Sequence, residues 1–190
     1  MKKLHLDRIL KIRVPITVAV IILAFTLTFF ATKAERDGVG YEPEQPIKFS
    51  HAIHAGKLEI DCQYCHTGVE KTRHAGIPSP SICMNCHSVA RRDKPEVQKL
   101  INYYFDKKPV PWKRIHKVPD YAYFNHSVHV NRKINCVHCH GDIASMDVVS
   151  QKQSFRMGQC LSCHRNAHDR MPEISDKIKL GPVNCSSCHR

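Results

Sequence analysis

Ten cysteines in 190 residues fall into five Cys-x-x-Cys pairs, and a histidine follows each pair at once. The motifs are Cys62-Gln-Tyr-Cys65-His66, Cys83-Met-Asn-Cys86-His87, Cys136-Val-His-Cys139-His140, Cys160-Leu-Ser-Cys163-His164 and Cys185-Ser-Ser-Cys188-His189, with no cysteine left over. This is the attachment signature of c-type haem. Two thiols at this spacing reach two vinyl groups on one porphyrin edge, while the adjoining imidazole swings beneath the iron as its proximal ligand. Structural zinc needs four ligands in one shell, and five halves cannot be paired into such shells. Disulfides or redox-active dithiols leave the histidines unexplained. With 14 histidines in the chain, five such placements by chance have a probability on the order of one in a million. The expectation is five covalently bound haem c groups.

From Val14 to Thr32 the chain reads VPITVAVIILAFTLTFFAT, 19 residues without a charge between Arg13 and Lys33. As a helix it spans about 28 Å, close to the hydrocarbon thickness of a bilayer. Lys2, Lys3, Arg8, Lys11 and Arg13 stand before it against a single Asp7, which keeps residues 1–13 in the cytoplasm as a basic arm and exports everything after Lys33. Thr32-Lys33-Ala34 is a weak cleavage site, and the apolar run is longer than a signal peptide needs, so residues 14–32 read as an uncleaved anchor. The expected location is the bacterial inner membrane, single-pass, with the haem domain on the periplasmic side.

The net charge of +12 ordinarily suggests nucleic acid or an anionic membrane surface. Residues 33–190 hold 24 Lys and Arg against 16 Asp and Glu, and five haems bring ten propionates that answer this surplus. Nucleic-acid binding is therefore rejected.

About 157 exported residues must hold five macrocycles, too few for an ordinary apolar core around each. The fold class that follows is a multihaem cytochrome c: haem-cored, built of short α-helices and loops, and preceded by one transmembrane α-helix. A repeat is visible within it. Phe49-Ser50-His51-Ala52-Ile53-His54 ahead of Cys62 matches Phe124-Asn125-His126-Ser127-Val128-His129 ahead of Cys136. The chain divides accordingly into a linker over 33–46, a two-haem module over 47–90, a Pro-rich basic connector over 91–120 and a three-haem module over 121–190. In the connector, Val97, Leu100, Ile101 and Tyr104 share a face and predict a helix over 96–105. Lys107 to Lys117 joins five basic residues to the only Trp, as a solvated cover for haem propionates or as a docking surface.

The far face of each iron decides between catalysis and transfer, because an open face binds substrate and a closed one changes only oxidation state. Besides the five proximal ligands His66, His87, His140, His164 and His189, the histidines are His5, on the cytoplasmic side, and His51, His54, His74, His116, His126, His129, His138 and His168. Positions three apart share a helix face, so His51 with His54 and His126 with His129 can each reach two neighbouring haems. The pattern Phe-x-His-x-x-His before Cys-x-x-Cys-His resembles the class III multihaem cytochromes. That resemblance implies that His51 caps the first haem and His126 the third, with His54 serving the second and His129 the fourth. It also places Met157, three residues before Cys160, where the three-haem members carry a histidine capping the last haem; a thioether there raises that haem's potential. His74 and His116 are the alternatives for the fifth position.

The phrases HAGIPSPSICMNCH, PWKRIHKVPDYAYFNHSVHV and SFRMGQCLSCHR, with the anchor, are similar to the pentahaem subunit of alternative complex III and touch pentahaem subunits of other molybdopterin and iron–sulfur oxidoreductases. The resemblance implies an electron-transfer subunit rather than an enzyme. Its partners would be an iron–sulfur subunit, polytopic membrane subunits, and a monohaem cytochrome c or oxidase as acceptor. The competing classes are an anchored quinol dehydrogenase of the NapC and NrfH type and a multihaem reductase. Four haems rather than five characterise the first, and the open Cys-x-x-Cys-Lys haem frequent in the second does not occur.

Overall fold

The computed structural model describes residues 7, 9–32, 38–174, 176 and 178–189. His5, Lys2, Lys3, Arg8, Lys33 and Ala34 lie outside them. The chain forms two compact units, Met1–Asp37 and Gly38–Arg190.

In the first unit a π-helical turn, Ile9–Arg13, runs into helix α1, Val14–Ala31, with Pro15 in its first turn, where no backbone donor is lost. The helix is apolar on every side and exposed all round, and Leu10–Ala31 is long and apolar enough to cross a membrane. Thr26, Thr28 and the capping Thr32 satisfy their hydroxyls internally, donating to the carbonyls of Ile22, Ala24 and Thr28 at 2.7, 2.8 and 2.9 Å. That closure is what an apolar solvent demands of polar groups.

The second unit consists of short helices joined by loops, with no strand among the described residues. In chain order they are α2 (Cys62–Cys65), α3 (Pro80–His87), α4 (Pro95–Phe105), α5 (His126–Val130), α6 (Val137–His140), α7 (Met157–Arg165) and α8 (Ala167–Arg170), with a π-helical turn at Ala52–Lys57. Proline opens α3 and α4 at a position that favours helix initiation. Side-chain caps start two others: Asp61 accepts from the Gln63 amide at 2.7 Å, and Asn125 from the Ser127 amide at 3.0 Å. The helix expected over 96–105 is α4, and it buries Leu100 and Ile101.

Among the described residues, six of the nine buried apolar ones gather in two small clusters. Ile47, Leu100 and Val110 pack with Cys83, Met84, Tyr103 and Trp112, while Ala167, Met171 and Ile178 pack with Ile134, Cys163 and Ile174. Each cluster touches an attachment cysteine, and together they are a thin core for a unit of this length. The two repeats also pack on one another. The Ala52 amide donates to Met146 O at 3.0 Å, Ser50 Oγ to Asp147 at 2.6 Å, and Asn131 Nδ2 to Glu70 O at 3.0 Å. A Cβ on Gly56 would collide with the Ala144 carbonyl, so glycine is what lets these segments approach.

Candidate haem-binding sites

The repeated Phe-x-His-x-x-His segments place their rings almost identically. Phe49 meets His51 edge-on at 4.9 Å and stacks on His54 at 4.3 Å; Phe124 meets His126 edge-on at 4.8 Å and stacks on His129 at 4.7 Å. One phenyl ring therefore sets the orientation of two imidazoles.

Hydrogen bonds then select which ring nitrogen is free. A backbone carbonyl only accepts, so an Nδ1 held against one carries the proton and leaves the Nε2 lone pair for a metal. His54, His126 and His129 do this against Ser50 O, Arg73 O and Asn125 O, each at 2.8 Å. Among the motif histidines, His66, His87, His164 and His189 do it against Gly76 O at 2.6 Å, Ala90 O at 3.0 Å, Pro182 O at 2.7 Å and Tyr121 O at 3.1 Å. Such outer partners fix ligand orientation and basicity.

Three of these rings face a motif histidine at a shared spacing. His54 and His87 have centroids 6.1 Å apart, His126 and His140 6.3 Å, and His129 and His164 6.2 Å. A metal held between two imidazole nitrogens, at about 2 Å from each, puts ring centroids about 6 Å apart. The spacing fits an iron between each pair, and the pairs join each His-x-x-His segment to its own following motifs. His51 lies in electrostatic contact with His66, and its buried Nδ1 has no partner.

The remaining histidines divide by their hydrogen bonds. His138 turns Nε2 to Glu173 at 3.0 Å, and His168 turns Nε2 to Ile178 O at 2.9 Å, so both are engaged through the nitrogen a haem would take. His74 is exposed, with no partner for its ring among the described residues. His116 is half-buried, edge-on against His140 at 4.4 Å, with its buried Nε2 unpartnered. Met157 opens α7, 65% exposed, one turn before Cys160, which is in electrostatic contact with Cys188 of the last motif.

Burial tunes both donor types. It pushes His51 and His140 down to about 4, with neighbouring imidazoles adding to the effect, and lowers His116 and His129 as well. These rings are neutral at pH 7, the form that ligates iron. Burial raises the thiols of Cys65, Cys83, Cys136, Cys139 and Cys160. Uncharged thiols are poor nucleophiles toward stray disulfide exchange. Among the described residues no three His, Cys, Asp or Glu side chains converge on a metal-sized site. Paired donors on opposite sides of a flat macrocycle need no such shell.

Several contributors were not visible as motifs. Arg73 supplies its carbonyl to both the amide and Nδ1 of His126, and lays its guanidinium 4.1 Å over Tyr123. Gly181 lies so close to the His164 ring that a Cβ would overlap it. Neither carries a spacing signal, since one acts through backbone and the other through a missing side chain.

Residues 122–190 match the family described as cytochrome c7 and related cytochrome c, and residues 28–113 match the class III cytochrome C family. A multiheme cytochrome c subunit of menaquinone reductase from Nitratidesulfovibrio vulgaris is 30% identical over 174 residues, covering 78% of each chain.

Proposed function

Because this chain belongs to the multihaem cytochromes c, we propose that it is a membrane-anchored pentahaem carrier relaying electrons for a quinol-linked respiratory complex. Each haem, when bound, supplies a reversible one-electron ferric–ferrous change. The chain's residues supply the rest. The ten motif cysteines would hold the macrocycles, and His66, His87, His140, His164 and His189 would each supply one ligand to an iron. His51, His54, His126 and His129 would supply the second ligand for the first, second, third and fourth, and Met157 for the fifth.

The observation that carries this reading is the recurring ring spacing of 6.1 to 6.3 Å. Imidazoles at that spacing on both sides of an iron exclude substrate and water, which suits transfer and not catalysis at that haem. The helix Leu10–Ala31 supports the anchor, and Lys11 and Arg13 at its start support an exported haem unit.

The finer assignment is a subunit of alternative complex III or a related assembly. There an iron–sulfur subunit delivers electrons drawn from quinol, polytopic subunits hold the quinol site, and a monohaem cytochrome c or an oxidase accepts. The name of the relative favours a second direction, with electrons passing through the cytochrome toward menaquinone. The purified membrane complex decides between them: haem reduction by a menaquinol analogue supports the first, and quinone-dependent reoxidation of prereduced haem supports the second. Quinol oxidation by the isolated chain would overturn both in favour of a NapC-type dehydrogenase.

A further inference from the structure

The attachment sites follow a spatial order that differs from their order in sequence. Asn85, inside the second motif, donates to the hydroxyl of Tyr64, inside the first, at 3.1 Å. Cys62 of the first motif lies in electrostatic contact with Cys136 of the third. Cys139 of the third lies in electrostatic contact with Cys163 and Cys160 of the fourth, and Cys160 with Cys188 of the fifth. The Pro182 carbonyl, three residues before Cys185, holds His164 of the fourth at 2.7 Å. The order is second, first, third, fourth, fifth, and the second site is an end of the line.

Beside that end lies an open groove of about 590 Å³ lined by Ile77, Pro78, Tyr103, Tyr104, Lys107 and Trp112, among others. It contains none of the motif cysteines or axial histidines, so it is separate from the haem sites. Tyr103, Val110 and Trp112 form its floor and also pack in the cluster that holds Cys83 and Met84. One layer of side chains therefore separates the groove from the second attachment site. Its lip is apolar and exposed, with Ile77 61% and Tyr104 40% accessible. Its surroundings are basic: residues 91–117 contain nine Lys and Arg against three Asp and Glu. Asp106 answers Lys108 at 3.3 Å, while Lys107, exposed in the groove's lining, has no ion-pair partner among the described residues.

We propose that this aromatic, lysine-edged groove is the docking face for an acidic segment of a one-electron redox protein that exchanges electrons at the second site. The proposal rests on the carrier reading above. An aromatic floor gives contact area at low entropic cost, and a basic edge raises the encounter rate with an acidic partner. The exchange is one electron, leaving the partner's reduced centre oxidised and one ferric iron ferrous, with no proton moved.

The test uses the holoprotein and an acidic two-iron ferredoxin as probe, with stopped-flow reduction followed across ionic strength. Lys107→Glu with Lys108→Glu should lower the bimolecular rate at low salt by about tenfold and flatten its salt dependence. Arg132→Glu with Lys133→Glu, the same charge change in the other half, should leave the rate near the original. Equal slowing by both pairs, or no slowing by the first, overturns the proposal. So does a shift of haem midpoint potentials in the first pair with an unchanged rate, because the lysines would then be answering propionates. Dithionite reduction separates this from the carrier reading: failure to reduce all five haems in the unmodified protein would strike that reading, whatever the lysines do.

Discussion

The two Phe-x-His-x-x-His segments carry matching rings on differently built turns. In the second, Asn125 caps a regular α-helix, and Arg73 from the first repeat receives the Nδ1 proton of His126. In the first, the turn is π-helical, Ser50 Oγ takes the Ile53 amide at 3.1 Å, and His51 Nδ1 is buried without a partner. Facing planes differ too, at 6° for His126 and His140, 25° for His129 and His164, and 60° for His54 and His87. What the repeats share is the phenyl ring that orients both imidazoles. The backbone beneath it is free to vary as long as each Nε2 stays aimed.

The largest expected effects come from opening an iron in either repeat. His126→Ala and His51→Ala should each convert one haem to a high-spin, carbon-monoxide-binding form, read as a new difference spectrum. If only His126→Ala does so, the first repeat does not close its haem, and the equivalence fails. Gly181→Ala should come next. The added methyl would push the His164 ring off its axis, lowering the fourth haem's low-spin signal and leaving the first repeat's haems unchanged. Met157→His should remove the highest-potential step from a redox titration without creating a high-spin haem, since imidazole replaces thioether. The smallest effects belong to the caps. Asn125→Ala should cost about 1 kcal/mol of stability, seen as a lower Tm. Ser50→Ala should cost more, because its hydroxyl also donates to Asp147 at 2.6 Å.

Much of this was legible in the sequence because covalent chemistry fixes it. Cys-x-x-Cys-His admits few readings, an uncharged run from Val14 to Thr32 admits few more, and α4 showed its buried face through Leu100 and Ile101. Class III cytochrome families and a helix-and-loop fold follow from the same residues. The spatial order of the motifs was not legible. It depends on which turns meet, as when Tyr64 finds Asn85, and no local pattern encodes that. Arg73 was invisible because its carbonyl does the holding. His116 and His74 read alike as alternatives for the fifth position, yet His116 is half-buried with a buried, unpartnered Nε2 and His74 is exposed.

The central claim is that paired side chains close every iron. Electron paramagnetic resonance of the oxidised, purified protein tests it most directly. The account predicts five low-spin haems, four with two imidazoles and one with imidazole and thioether, and the largest g-anisotropy from the His54 and His87 pair, whose planes cross at 60°. A high-spin ferric signal that shifts on adding nitrite would contradict it.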